Sequence, residues 1–173
     1  MPTLIRLIDG SFEAAEDRFT NVPDDEPTPL GDVIVSMSRF QAEGEGLLAD
    51  GRGVGVRVEA GETVDALAYD LARIAVVSLV IPKFRDGRAY SSARLLRERY
   101  GYKGEVRAVG DVLREQALFM TRCGFDAFEP ADGSAPGSWA EAASAFRHVY
   151  QRAADGREPI YVERNSREAG HGV

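Results

Sequence analysis

An arginine-rich stretch that follows an apolar strand candidate is the part of the sequence best suited to binding an anion. The stretch runs Pro82-Lys83-Phe84-Arg85-Asp86-Gly87-Arg88-Ala89-Tyr90-Ser91. Guanidinium groups form paired hydrogen bonds to sulfate, phosphate or carboxylate oxygens, and the first N–H groups of a helix attract the same anions. The candidate contact residues are therefore Lys83, Arg85, Arg88, Tyr90 and Ser91. The alternative interpretation is a surface turn at Asp86-Gly87 whose arginines lie in water.

A second group of charged residues surrounds the next strand candidate. Arg107 lies inside that strand, where a buried charge needs a carboxylate partner such as Glu105 or Asp111, or else contacts a bound anion. Asp111 and Arg114 follow at the start of a helix, where Asp111 is either an N-cap or an orienting carboxylate. Arg107 and Arg114 join the candidate anion-binding residues. Asp111 and Glu129 are the candidate general acid or base.

The remaining reactive residue types point away from cofactor and metal chemistry. Cys123 is the only cysteine, and it ends an amphipathic helix with no histidine beside it, a setting typical of a small buried hydrophobe. His148 and His171 do not have the spacing of metal ligands. The glycines of 51–55 precede a strand, whereas a dinucleotide fingerprint follows one, so they indicate a turn. We therefore expect neither a cofactor nor a metal.

Short apolar runs alternate with helical patterns along the chain. The predicted strands are Leu4–Ile8, Val33–Met37, Val54–Val58, Ile74–Ile81, Val106–Val109 and Phe125–Phe128. The predicted helices are Arg39–Ala49, Thr63–Ala72, Ser91–Tyr100, Val112–Cys123 and Ser138–Arg152. This order predicts an α/β fold of repeated β-α units with a mainly parallel sheet, either partial (β/α) barrel-like or open doubly wound. In both arrangements ligands bind beyond the carboxyl ends of the strands.

The length of 173 residues predicts one compact domain with short additions. Residues 1–30 are expected to form an N-terminal strand and a loop rich in proline and acidic residues. Residues 31–163 form the α/β domain, and 164–173 form a polar tail that we expect to be mobile. Ser91 or Ser92 and Asp111 are the predicted helix N-caps.

Charge is distributed unevenly along the chain. The net charge is -7, and residues 83–122 hold ten Lys and Arg against five Asp and Glu, a balance of +5, which leaves -12 for the rest. An acidic chain argues against general binding to nucleic acid or to anionic membranes. The longest apolar run is too short to span a bilayer, and the first residues do not resemble a secretory signal. We therefore expect a cytoplasmic protein.

The motifs KFRDGRAYS, RAVGDVL and RCGFDAF occur together between Leu79 and Glu129. In this combination the sequence closely resembles the bacterial domain-of-unknown-function family 934, whose members are described as a probable oxidoreductase or an accessory protein of sulfite reduction. The resemblance implies a bacterial protein of assimilatory sulfur metabolism that works alongside the sulfite reductase haemoprotein. It implies no catalytic mechanism, and the residues themselves contain no flavin, nicotinamide, haem or cluster motif.

Three hypotheses follow for the function. The first is an accessory protein of sulfite reduction that uses residues 83–114 to bind an oxyanion or to dock on the reductase. The second is a small (β/α)-barrel-like enzyme acting on a phosphorylated or sulfated metabolite. The third is a homodimerisation module, because the chain is too short for a complete eight-unit barrel.

Overall fold

A computed structural model describes residues 4–169, with side chains up to residue 165. Its eight strands form one sheet in the order β2-β1-β8-β7-β6-β5-β4-β3. The strands are β1 Leu4–Ile8, β2 Ser11–Ala15, β3 Thr20–Asn21, β4 Val33–Ser36, β5 Val54–Val58, β6 Val76–Ile81, β7 Glu105–Gly110 and β8 Ala127–Phe128. Strands β3 to β8 are parallel, and β1 is antiparallel to both of its neighbours. The predicted α/β fold with a mainly parallel sheet is confirmed.

The sheet is curled into a half-barrel, and the chain itself requires this curl. Strands β2 and β3 are the two outer edges of the sheet, yet only residues 16–19 join them. Five residue steps span at most about 18 Å, whereas the edges of a flat eight-stranded sheet lie about 34 Å apart. We call residues 16–19 the crossing segment. Of the two predicted arrangements, the partial barrel describes the structure.

The convex face of the sheet carries the main hydrophobic core. Alternate residues of the parallel strands point to this face, as in Val54, Val56 and Val58 of β5, and they are buried against the helices. The concave face carries a more polar row. Register places Ser36, Arg57, Ser78, Arg107 and Ala127 side by side on neighbouring strands of that face. From the crossing segment, Phe19 packs on Ile34 and Val76.

Five α-helices accompany the sheet. They are α1 Met37–Ala49, α2 Arg88–Arg94, α3 Ala117–Cys123, α4 Pro136–Ser144 and α5 Ile160–Ala169. One π-helical turn, Leu95–Arg99, continues α2, and a 3-10 turn, Arg114–Gln116, precedes α3. Four of the five predicted helices therefore exist, with shifted ends. The predicted helix Thr63–Ala72 is instead a short 3-10 helix, Val64–Leu67, followed by turns.

The predicted N-caps are wrong. Helix α2 begins at Arg88, after Gly87, so the two serines lie inside it. The 3-10 turn before α3 has Leu113 at its N-cap, and Asp111 lies outside the helix. Helix α5 covers 164–169, the first part of the predicted tail. Residues 170–173, including His171, lie outside the described residues.

Candidate functional site

A groove between α2 and α3 collects several of the candidate residues. Both helices have a period of 3.6 residues, so Tyr90, Ser91 and Arg94 share one side of α2 and face the α3 side of the groove. The groove has a volume of about 600 Å³. We call it the α2–α3 groove, and its lining residues are Phe84, Arg85, Asp86, Gly87, Tyr90, Ser91, Arg94, Gln116, Phe119, Arg122, Cys123, Gln151, Arg152 and Ala153.

The loop at the groove's edge is held at Phe84 from two sides. The Phe84 N–H donates to the Asp111 carboxylate at 2.7 Å, and the amide of Gln116 donates to the Phe84 carbonyl at 3.0 Å. Gln116 also accepts from the Leu113 N–H at 3.0 Å, so its side chain is fixed at both ends. Asp111 therefore positions a loop 27 residues away in sequence.

Arg97 fixes the far ends of the two helices. Its guanidinium donates to the Gly124 carbonyl at 2.9 Å, just past α3, and to Asp126 at 2.6 Å. It also donates to the carbonyls of Tyr102 and Gly104. The two walls of the groove are thus joined by hydrogen bonds at both ends.

At the start of α2, where an anionic ligand was expected, the protein's own Asp86 carboxylate contacts Arg88. Asp86 accepts from the Arg88 N–H at 3.2 Å and forms a paired contact with the Arg88 guanidinium. The Arg88 side chain, followed by its N–H, lowers the pKa of Asp86 to about 2. Arg88 also donates to the Ala60 carbonyl. Arg88 therefore serves this turn and does not line the α2–α3 groove.

Four arginines surround the groove, and they differ in what else they bind. Arg94 pairs with Glu98 at 3.0 Å, and Arg122 pairs with Asp155 at 3.2 Å. Arg85 and Arg152 are exposed and form no ion pair with any residue of the range 4–165, for which side chains are described. These two guanidinium groups are the ones available to a ligand.

Aromatic rings form the apolar part of the groove. The Tyr90 ring lies 5.1 Å from that of Phe119 and 5.9 Å from that of Phe125, measured between centroids. Phe119 remains 61% exposed and Phe84 48% exposed. Burial raises the pKa of Tyr90 to about 12, so its phenol is protonated at neutral pH. Tyr90 therefore offers a ring and a neutral hydroxyl.

Cys123 lies at the base of the groove and is 5% exposed. Burial raises the pKa of its thiol, although Arg94 and Arg122 oppose the shift. A protonated, buried thiol is a poor nucleophile. These properties fit the interpretation of Cys123 as a small packing residue.

Arg107 lies at a separate place, on the concave face of the sheet. Its fully buried guanidinium contacts Asp17 at 2.6 Å, Glu105 at 2.7 Å and Glu129 at 3.1 Å. Burial opposes the charge, but hydrogen bonds and charges from Asp17 and Glu105 hold the pKa of Arg107 above its usual range. The proposed partner Glu105 is therefore present and the proposed partner Asp111 is not. These three carboxylates already contact the guanidinium group that an anionic ligand would need to bind.

The structure thus divides the predicted site. Arg85, Tyr90 and Ser91 meet in the α2–α3 groove. The other candidates do not line it: Lys83, Arg88, Arg107, Arg114, Asp111 and Glu129. The candidates missed in the sequence are Arg94, Phe119, Arg122 and Arg152. Helical spacing from Tyr90 could have identified Arg94, whereas Arg152 follows no regular element.

More than half of this chain matches the profile of a known protein family. The profile described as "Bacterial protein of unknown function (DUF934)" matches residues 55–161. The chain belongs to this family. The matched part of this DUF934 protein contains every residue that lines the α2–α3 groove. No curated protein matches the chain.

Among residues 4–169, no helix has the length and apolar character needed to cross a membrane. Among the side chains of residues 4–165, no group of three or more His, Cys, Asp or Glu is arranged to hold a metal ion.

Proposed function

We propose that this DUF934 protein is an accessory protein of assimilatory sulfite reduction that binds an oxyanion in the α2–α3 groove. The observation that supports it is that Arg85 and Arg152 line the same groove and form no ion pair with the side chains of residues 4–165. A forked guanidinium matches the oxygens of sulfite, sulfate or a phosphate ester. The sulfur assignment comes from the resemblance of the motifs between Leu79 and Glu129.

The groove favours binding over catalysis. Tyr90 is neutral and Cys123 is protonated, so neither supplies a base or a nucleophile at neutral pH. Asp111 holds the Phe84 loop and Glu129 contacts Arg107. The alternative, an enzyme acting on a phosphorylated or sulfated metabolite, needs one of these two carboxylates beside a bound ligand.

Titration calorimetry with sulfite, sulfate and inorganic phosphate tests the binding site. We expect the doubly substituted Arg85→Gln, Arg152→Gln protein to lose at least about tenfold in affinity, since each charged hydrogen bond contributes about 1.5–3 kcal/mol. Arg147→Gln is the matched control, because Arg147 is an exposed arginine near Arg152 that does not line the groove. Equal affinities for all three proteins would contradict the site.

Growth of a deletion strain tests the sulfur assignment. We expect the strain to grow poorly with sulfate and normally with cysteine as sulfur source. Complementation with the double arginine variant should fail, and complementation with Arg147→Gln should succeed. Equal growth of the deletion strain on both sulfur sources would refute the assignment. A pull-down with the sulfite reductase haemoprotein, repeated with the double variant, tests docking through the same surface.

A further inference from the structure

The volume of the α2–α3 groove is much larger than the volume of a bare oxyanion. A tetrahedral sulfur or phosphorus oxyanion occupies roughly the volume of two liquid waters, about 60 Å³. The groove offers about 600 Å³, within the range of about 300–1,000 Å³ that accommodates an organic ligand. An anion held by Arg85 and Arg152 would leave most of this space unfilled.

The unfilled part of the groove is aromatic. Phe119 packs on Tyr90 through one side of its ring and remains 61% exposed, and Phe84 is 48% exposed. Large rings left open beside a polar rim are typical of a ligand surface. Planar groups stack on such rings, whereas a bare anion gains nothing from them. The groove therefore combines a surface for a ring with a pair of cations.

Resting on the proposed function, we infer that the ligand is a small organic anion in which an aromatic ring carries or is linked to a phosphate or sulfate group, as in a nucleotide. Its oxyanion contacts Arg85 and Arg152. Its ring packs against Phe119 and Phe84. The Asp86 carboxylate does not compete for these cations, since Arg88 already holds it.

Isothermal titration with four probes tests this inference. The probes are adenosine 5′-monophosphate, phenyl phosphate, inorganic phosphate and adenosine. We expect at least one of the two ring-bearing phosphates to bind about tenfold or more tighter than inorganic phosphate, and adenosine to bind more weakly than its monophosphate. If neither ring-bearing phosphate binds tighter than inorganic phosphate, the inference is wrong while the proposed oxyanion site stands. If inorganic phosphate, sulfite and sulfate also fail to bind, both are wrong.

Two variants separate the ring contact from the charge contact. Phe119→Ala should lower the affinity for the ring-bearing phosphate at least fivefold and leave that for inorganic phosphate unchanged. Phe146→Ala is the matched control, because Phe146 is 67% exposed and does not line the groove. Both phenylalanines are more than half exposed, so both variants should fold, and the packing lost in Phe119→Ala is the ring contact with Tyr90. Equal losses in the two variants would refute the ring contact.

Discussion

Arg107 shows how a buried charge is stabilised in this protein. Its side chain has no exposure, and three carboxylates, from Asp17, Glu105 and Glu129, lie within 3.1 Å of it. Moving a guanidinium out of water is costly, and hydrogen-bonded carboxylates recover that cost. The guanidinium carbon of Arg107 also lies 5.9 Å from the centroid of the Phe19 ring, so the crossing segment adds a cation-π interaction. Arg107 therefore connects the crossing segment to the centre of the sheet.

Removing this charge should destabilise the fold strongly. We expect Arg107→Ala to lower the free energy of unfolding by about 3–5 kcal/mol, because the carboxylates lose their common partner. Arg57→Ala is the control: Arg57 is two strands away in the same row of the concave face, but it is half exposed and pairs with Glu59. Arg57→Ala should change the free energy of unfolding by no more than about 0.5 kcal/mol. Urea denaturation measures both, and similar values would contradict the role of Arg107.

The loop of the candidate site is predictable from the sequence, but only some of the residues that line the groove are. Arg85, Tyr90 and Ser91 follow β6, where a ligand was expected, and they line the groove. Arg88 was misplaced because the sequence does not show that Asp86 binds it. Arg152 joins the site only through tertiary folding, since it lies 58 residues beyond Arg94 and outside the α-helices. Local spacing predicts neighbours within one helix and does not predict such distant contacts.

At the scale of elements, β6 and β7 form the best-defined pair in the sheet. Six consecutive residue pairs are in register, from Val76 with Glu105 to Ile81 with Gly110. Gly110 ends β7 with a φ of +99°, and a β-carbon there would overlap the Ile81 carbonyl oxygen. The close approach of these two strands at their carboxyl ends therefore depends on glycine. The next residue is Asp111, whose carboxylate accepts the hydrogen bond from the Phe84 N–H at the edge of the groove.

Gly110→Ala should consequently be costly. We expect a loss of about 2–5 kcal/mol in unfolding free energy from backbone strain and the clash with Ile81. Gly133→Ala provides the comparison, because Gly133 also has a positive φ, +65°, but has open space around its missing β-carbon. It should lose only about 1 kcal/mol. Thermal or urea unfolding of the two variants tests the difference, and a larger loss in Gly133→Ala would exclude this explanation.

The predicted strands and helices agree with the structure where the run of apolar residues is long enough to identify the element. The strands of the parallel sheet were found because their apolar runs are bounded by turn residues. Strand β2 was missed because its sequence, SFEAA, has only one large apolar residue, Phe12, although the Asp9-Gly10 turn before it is a typical hairpin sequence. Strand β3 has only two residues, and its pairing with β4 is decided by the curl of the whole sheet.

The whole molecule neutralises most of its uneven charge internally. Of the ten cations in residues 83–122, seven form ion pairs within the described residues: Arg88, Arg94, Arg97, Arg99, Arg107, Arg114 and Arg122. Their partners include Asp17, Asp65, Asp126 and Asp155, which lie in the acidic remainder of the chain. Most of the positive charge of residues 83–122 is therefore paired with carboxylates, several of them from distant segments, and does not form an open basic surface. Arg85 is the exception that lines the groove.

The acid stability of the whole molecule should depend on the crossing segment. Burial alone would raise the pKa of Asp17, but hydrogen bonds from Arg107 and from the Phe19 N–H lower it below its ordinary value of 3.8. The ionised form is therefore favoured in the folded state. Its contribution to stability is complete well above pH 3.8 and is lost as the pH falls through the lower, folded-state pKa.

Comparing native protein with Asp17→Asn across pH tests this link. We expect the variant to be less stable by about 2 kcal/mol at neutral pH, and the gap to shrink as the pH falls from about 4 to about 2. Asp25→Asn, in the exposed proline-rich loop, is the control and should differ from native protein by less than about 0.5 kcal/mol. Urea unfolding at each pH measures the gap. A gap that widens on acidification would contradict the assignment.

The position of β1 also determines when the fold can be completed on the ribosome. Strand β1 pairs with β8 through Ile5 and Phe128, so the first and the last strand of the described residues are neighbours in the sheet. Translation at about 5–20 residues per second leaves β1 and β2 without that neighbour for several seconds. During this time the hairpin edge is open to pairing with other chains. The sheet therefore cannot close until Phe128 has been synthesised, and nascent chains that end before Phe128 should be prone to aggregate.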